Sequence, residues 1–238
     1  LLIGDDCVDV YQYGNVNRIS PEAPVPIFES VGEESRAGMA ANVCRNLEAL
    51  GCTVNYLHGD TSVKTRLIDI RSGQQVLRID NDSISDALEI ESAIPSIYDA
   101  IVISDYNKGT VSYELVAELR QGFDGPIFVD TKKTDLERLQ GCIVKINNLE
   151  YQLLTSECQD LIVTLGKNGA RYGEQLFPAP EIEVSDVTGA GDTFLSALCY
   201  QYLCNQGNMQ LAIEFAIRAS SVTVQHVGVY APTLEEIQ

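Results

Sequence analysis

Four short apolar runs, Ala100–Ile103, Pro126–Val129, Cys142–Ile146 and Leu161–Thr164, recur along the chain with helix-compatible segments between them. A strand that is apolar at successive rather than alternate positions is buried on both faces. Such strands, joined by helical crossovers, fold as a parallel sheet with helices on each side. The chain is therefore expected to be α/β and doubly wound. Tyr113–Arg120 reads as a helix, Leu136 and Leu139 lie on a short one, and Gly191–Cys204 and Met209–Val224 are two closing helices. At the start, Leu1–Gly4 reads as a short strand followed by a loop. Gly38–Leu50 reads as a helix ended by Gly51, and Thr53–His58 as a strand.

Two segments do not fit this rhythm. Pro21, Pro24 and Pro26 exclude a helix or a central strand from Arg18–Pro26, and Ile27–Val31 reads as an extended edge. Thr65–Ile70 and Gln75–Ile79 form a hairpin pattern around Arg71-Ser72-Gly73-Gln74. Together, about residues 12–36 and 64–80 are expected to build a small β-flap over the site, within one domain spanning 1–238. An exposed β edge invites pairing, so a homodimer through the flap is expected.

Composition narrows the function classes. The net charge of -18 gives no general attraction to nucleic acid or an anionic membrane. There is no apolar run of the length a membrane helix needs, and Leu1–Gly4 is too short for a signal peptide, so a cytoplasmic protein is expected. The seven cysteines form no CxxC pair and read as reduced core thiols.

The chemistry concentrates in Asp186-Val187-Thr188-Gly189-Ala190-Gly191-Asp192-Thr193-Phe194, just before a long apolar helix. Gly189 and Gly191 let the backbone turn tightly and approach a ligand. The unpaired N–H groups of a helix N-terminus then favour an anion. A carboxylate beside such a cradle, Asp192, suits the task of taking a proton from an attacking hydroxyl. The alternative is an ordinary glycine turn with Asp192 as a helix N-terminal acid.

The whole string resembles the second signature of the ribokinase/PfkB family of carbohydrate kinases. The resemblance implies a ribokinase-like fold and transfer of the γ-phosphoryl group of ATP to a sugar hydroxyl. Asp192 would be the base, and Gly189, Ala190 and Gly191 would supply the anion hole, with Thr188 on the nucleotide side. Gly38, Ala41 and Asn42 resemble the family's first signature, with Met39 where one of two glycines stands. Asp9 matches an early acidic residue that hydrogen-bonds the sugar. Asn147-Asn148-Leu149-Glu150 resembles an Asn-x-x-Glu motif, which implies Mg²⁺ organised by Asn147 and Glu150 through water. Thr164, Gly166 and Gly169 resemble the ATP-side turn. A monovalent cation is compatible with the same family.

Within the family, Tyr13-Gly14, Arg18–Pro26, Lys64-Thr65-Arg66, Gln75–Asp80 and Ser104–Gly109 look like the heptose-7-phosphate kinases, the kinase half of bifunctional ADP-heptose synthases. That resemblance implies D-glycero-D-manno-heptose 7-phosphate as acceptor. A phosphorylated acceptor needs cations at its far end, and Arg18, Lys64, Arg66, Arg78 and Lys108 are the candidates. The chain departs from the pattern by passing almost directly from Asp60 to Lys64 and from Tyr151 to Leu161. Ile217 stands where relatives often place Asn. The nucleotidyltransferase activity of the bifunctional enzymes is not expected within Leu1–Gln238. The competing readings are a ribokinase-fold binding or regulatory protein without turnover, or a kinase for fructose, ribose or a nucleoside. A dinucleotide oxidoreductase is disfavoured because no GxGxxG follows the first strand.

Overall fold

The computed structural model describes residues 1–90 and 97–237. Its sheet has the order β10-β9-β8-β7-β6-β5-β1-β3-β4, with β2 paired to β1 off this path. The apolar runs of the sequence become β5 (Ile101–Asp105), β6 (Ile127–Thr131), β7 (Ile143–Asn147) and β8 (Leu161–Thr164), which pair in parallel. β9 (Ala170–Tyr172) and β10 (Gln175–Phe177) close that edge antiparallel.

Side chains of these strands alternate between two apolar layers. Leu2, Val102 and Phe128 face α1 (Ala40–Ala49), α4 (Ala190–Cys204) and α5 (Met209–Thr223), packing with Val43, Leu195, Leu198 and Ile213. Ile3, Ile101, Ile103 and Val129 face the other way, against Leu115 and Leu119 of α2 (Tyr113–Gly122) and the 3₁₀ turn Leu136–Leu139. Burial on both faces is what the unbroken apolar runs required. Two short helices, α3 (Asn148–Tyr151) and α6 (Leu234–Ile237), complete the chain. Cys7, Cys142, Cys158 and Cys199 are buried and Cys44 and Cys52 half-buried, while Cys204 is exposed and so is not the core thiol expected.

The flap differs from expectation in its construction. Leu1–Gly4 is not a short strand followed by a loop: β1 runs unbroken from Leu2 to Ile19. Its upper half gains ladder partners on both sides. β2 (Pro26–Met39) pairs with it antiparallel, and β3 (Tyr56–Asp69) pairs with it in parallel. Two-sided pairing satisfies the backbone of Val10–Gly14, and β2 alone pairs with the stretch from Asn15 to Ile19, where a loop had been expected. For the same reason the two separate strands read at Thr53–His58 and Thr65–Ile70 are one strand, β3. The expected hairpin is present, with β3 antiparallel to β4 (Gln75–Asn81). Pro26 takes the first position of β2, where proline is tolerated in a sheet.

Gly38 does not open the helix, as the sequence reading had it. Gly38 and Met39 end β2, and α1 begins at Ala40. Met39 holds φ 50°, ψ −132°, a region that glycine enters freely and a β-carbon resists. Only the surrounding packing keeps it there, and Met39 is buried.

Candidate active site

α4 starts at the C-terminal ends of the parallel strands, where α/β sheets bind ligands. α2 and α5 are capped by the side chains of Ser112 and Asn208, which accept from Leu115 and Leu211 N–H. α4 has no such cap. Its N-cap is Gly189, in the left-handed conformation at φ 79°. The first i→i−4 bond runs from Thr193 N–H to Gly189 C=O, and Ala190 N–H is spent on Val187 C=O at 3.3 Å. Gly189, Gly191 and Asp192 are therefore the positions of this turn whose amides are left to a ligand, while Ala190, expected in the anion hole, has its amide engaged. Both glycines are needed for space. A Cβ on Gly189 would stand 2.8 Å from Asn42 Nδ2, and one on Gly191 would stand 2.9 Å from Lys145 Nζ. Thr188, expected on the nucleotide side, gives both its N–H and its hydroxyl to Asp186 Oδ1, while Gly228 N–H bonds Asp186 Oδ2. Asp186 thereby ties the turn to the loop after α5.

Asp192 is only 5% exposed. Asn42 Nδ2 donates to its Oδ2 at 2.8 Å, and the Tyr106 hydroxyl donates to its Oδ1 at 3.0 Å. Burial pushes its carboxyl up to about 6; the charge of Asp130 pushes the same way, while Asn42, Lys145 and Tyr106 pull it down. A carboxylate that is ionised at neutral pH yet holds a proton well suits general-base work.

Ser104, Asp130 and Lys145 are register partners on β5, β6 and β7 beneath this helix end. Lys145 is 3% exposed and donates to Asp130 Oδ2 at 2.6 Å. A lone lysine within the otherwise apolar Ile143–Ile146 was the signal that could have flagged it, since a buried ammonium needs a partner and a purpose. Tyr106 lies in Ser104–Gly109, a stretch whose sequence points to the acceptor class and not to the base. Its backbone N–H is held by Asp5 Oδ2 at 2.8 Å, and Lys132 Nζ lies 5.0 Å from its ring centroid.

A cleft beside Asp192 is lined by Asp105, Tyr106, Asp130, Lys132, Lys145, Asn147, Glu150 and Gly191. Asn147 and Glu150 form a capping box on α3. Asn147 Oδ1 accepts from Leu149 and Glu150 N–H, and Glu150 Oε2 accepts from Asn147 N–H at 2.8 Å. Lys132 donates to Glu150 Oε1 at 3.2 Å. Among the described residues no group of three or more His, Cys, Asp or Glu is placed to hold a metal directly. This donor set fits Mg²⁺ that keeps its waters, with Asp130, Asn147 and Glu150 meeting those waters.

On the flap side, Arg66 pairs with Asp9, and Gly38 gives Asp9 room, since a Cβ there would stand 2.6 Å from its Oδ2. Lys64 lies opposite Asp9 in register. Arg36, absent from the sequence candidates, stacks on Tyr11 at 4.8 Å, with Arg66 at 5.3 Å from the same ring. Arg36 also fills the space above Gly228, where a Cβ would stand 2.0 Å from its Nη1. The flap thus touches the loop that Asp186 ties to the α4 turn.

Three of the candidate cations are not brought to this site, whereas Thr164 lies in register beside Asn147. Arg18 is 61% exposed in its side chain and pairs with Glu29 at 3.3 Å. It lies nine residues along β1 from Asp9, about 30 Å of extended chain. Arg78 pairs with Asp80 on exposed β4, and Lys108 with Asp82. Thr164 donates to Ile146 C=O, and Gly169 is required because a Cβ there would strike Phe177 C=O; Gly166 opens the same turn. Ile217 is buried in the apolar layer.

Residues 128–237 match the family model for pfkB family carbohydrate kinases. The fold is shared with ribokinase from Thermotoga maritima (TM-score 0.71, 16% identity, 99% of this chain and 96% of that one). It is shared equally with Arabidopsis thaliana ribokinase complexed with ribose and ATP (TM-score 0.71, 14% identity, the same coverage). The chain thus matches the pfkB carbohydrate kinases over residues 128–237 and shares a ribokinase-like fold over 99% of its length. Its curated relatives include the bifunctional protein HldE of Nitratiruptor sp., 32% identical over 298 residues, with 100% of this chain and 64% of that protein covered. HldE of Campylobacter jejuni is 31% identical, with 100% and 63% covered. The chain therefore spans a little under two thirds of the length of these relatives. Among the described residues, no helix is long and apolar enough to cross a membrane.

Proposed function

We propose that this chain transfers the γ-phosphoryl group of ATP to a hydroxyl of a sugar phosphate of the heptose 7-phosphate kind, with Asp192 as general base. The observation that carries the reading is a buried, doubly hydrogen-bonded carboxylate in the first turn of a helix that has no side-chain cap. The amides of Gly191 and Asp192, with Lys145 beside them, face the position where charge gathers on the moving phosphoryl group. Mg²⁺ on the nucleotide phosphates, met through water by Asp130, Asn147 and Glu150, would neutralise part of that charge.

Asp192 takes the proton of the attacking hydroxyl, and Asn42 and Tyr106 hold its two oxygens in place. Asp9 orients the sugar. Arg36 and Arg66, held against Tyr11 where the flap meets the loop after α5, are the cations that suit an acceptor phosphate. They replace Arg18, Arg78 and Lys108 in that role. The flap covers the reacting groups and excludes water. Its outer strands offer the surface for a second copy.

An acceptor screen tests this. Turnover of ATP is measured with heptose 7-phosphate, fructose 6-phosphate and their unphosphorylated sugars. Preference for a phosphorylated acceptor, lost in Arg36→Ala and Arg66→Ala through KM, is expected. Equal rates with free sugars would refute the acceptor assignment. ATP turnover with none of them would favour the binding-protein reading, for which Met39 and the short passages after Asp60 and Tyr151 are the motive.

A further inference from the structure

Asn42 and Asp192 end a buried polar chain whose further members the reaction outlined above does not use. Asn46 Nδ2 donates to Asn42 C=O at 2.8 Å and lies 3.4 Å from Asn42 Oδ1. The Thr193 hydroxyl donates to Asn46 Oδ1 at 2.8 Å. Thr223 Oγ1 stands 3.0 Å from Thr193 Oγ1 and 3.2 Å from Tyr230 C=O. Asn42, Asn46, Thr193 and Thr223 are each at most 2% exposed. The chain crosses three helices, α1, α4 and α5, through contacts that are otherwise apolar.

An asparagine side chain is nearly symmetric in shape, so packing alone does not decide which end faces a neighbour. With its amide reversed, Asn42 would set a carbonyl oxygen against the Asp192 carboxylate. The contact would then turn from attraction to repulsion. Asn46 decides the matter by presenting a donor on the side of Asn42 Oδ1. Asn46 has the same ambiguity; the Asn42 backbone carbonyl, which can only accept, draws Asn46 Nδ2 to itself, and the Thr193 hydroxyl donates to the Oδ1 left on the other side. Thr223 in turn offers a proton to Thr193. The donors run in one direction, from α5 through α4 and α1, and end on the base.

We infer that Asn46 and Thr193 are positioning residues, which fix the orientation of Asn42 and so hold Asp192 ionised and aimed. The inference rests on the assignment of Asp192 as base. The other groups facing Asp192 are Tyr106 from the loop after β5, Asp130 on β6 and Lys145 on β7, and none of them belongs to this chain of donors. Chains of buried hydrogen bonds strengthen one another, so a break two links away is felt at the end.

Thr193→Val keeps the shape and removes the donor. It is expected to lower kcat about tenfold, leave both KM values within twofold, and move the acid limb of the kcat profile up by about half a pH unit. Thr193→Ser keeps the hydroxyl and is expected to restore the wild-type acid limb. A purely structural role predicts the opposite pattern for Thr193→Val: a lower Tm with kcat and acid limb unchanged. That outcome overturns the inference. Should Thr193→Val fail to fold, Thr223→Val provides the test one link further out, with about a threefold fall in kcat expected and an unchanged profile counting against the relay. Asp192→Asn is measured alongside. If it keeps turnover, the base assignment fails. If it is inactive while Thr193→Val behaves as wild type, only the relay fails.

Discussion

Replacing Asp192 by Asn removes a charge that the fold holds at a cost. The carboxyl sits at about 6 when folded against an ordinary 3.8, chiefly because it is buried. The folded state therefore binds this proton more tightly than the unfolded state. Stability falls as pH rises from about 4 to about 6 and is level above that. At 1.36 kcal/mol per tenfold change in proton affinity, the cost is about 3 kcal/mol at pH 8 and about 1.6 kcal/mol at pH 5. Asp192→Asn lacks this cost. Its stability relative to wild type is expected to improve by about 1.4 kcal/mol between pH 5 and pH 8, worth roughly 3–6 °C in Tm for a chain of this size. Any constant penalty from altered hydrogen bonds to Asn42 and Tyr106 cancels in that comparison. With no tryptophan in the chain, urea unfolding is followed by far-UV circular dichroism at both pH values. Turnover should fall by a factor of about 10²–10⁴ in the same variant, the usual worth of a general base. Parallel stability curves for the two proteins, or a difference that narrows toward pH 8, would refute the claim that Asp192 is a strained, buried acid.

Two further outcomes are expected. Tyr106→Phe removes the donor on Asp192 Oδ1, so the acid limb of the kcat profile should rise from about 6 by roughly one pH unit, the worth of one charge-assisted hydrogen bond. An unmoved limb would show that Tyr106 does not act on the base. Lys145→Met leaves Asp130, whose side chain is 16% exposed at the cleft, without its partner and should cost about 1–3 kcal/mol in urea denaturation. Adding Asp130→Asn should recover most of that stability while turnover stays low.

The parallel sheet was legible because its strands are apolar at consecutive positions, a pattern that few other structures accommodate. The upper half of β1 was not. Val10–Ile19 mixes tyrosine, asparagine and glycine, and it becomes strand only because β2 and β3 supply ladder partners from distant sequence. The same holds at the site. The Asp186–Phe194 string announced the helix start locally. Asp130 and Lys145 reach the surroundings of Asp192 through sheet register, and Tyr106 from the loop after β5, which a linear reading does not contain. Arg18 was a candidate for its charge and its place in the Arg18–Pro26 string, but the length of β1 carries it to the far tip of the flap. Arg36, hidden among the glutamates of β2, arrives by the antiparallel register that sets it opposite Asp9. Glu150 shows how one motif serves two ends: one oxygen closes a helix cap, and the other meets Lys132 at the rim of the cleft.

β1 and β3 each pass from the core into the flap as one piece, and this sets how the cover can move. With no loop between lid and body, there is no joint about which a rigid panel could swing. Displacement has to be taken up as elastic flexure of a laddered ribbon. The β1–β3 ladder is irregular between Gly4 and Asp6, the spot best able to bend. Between them lies Asp5, whose carboxylate grips the amides of Tyr106 and Lys108. The cover and the residue that steadies the base are therefore sprung from the same point.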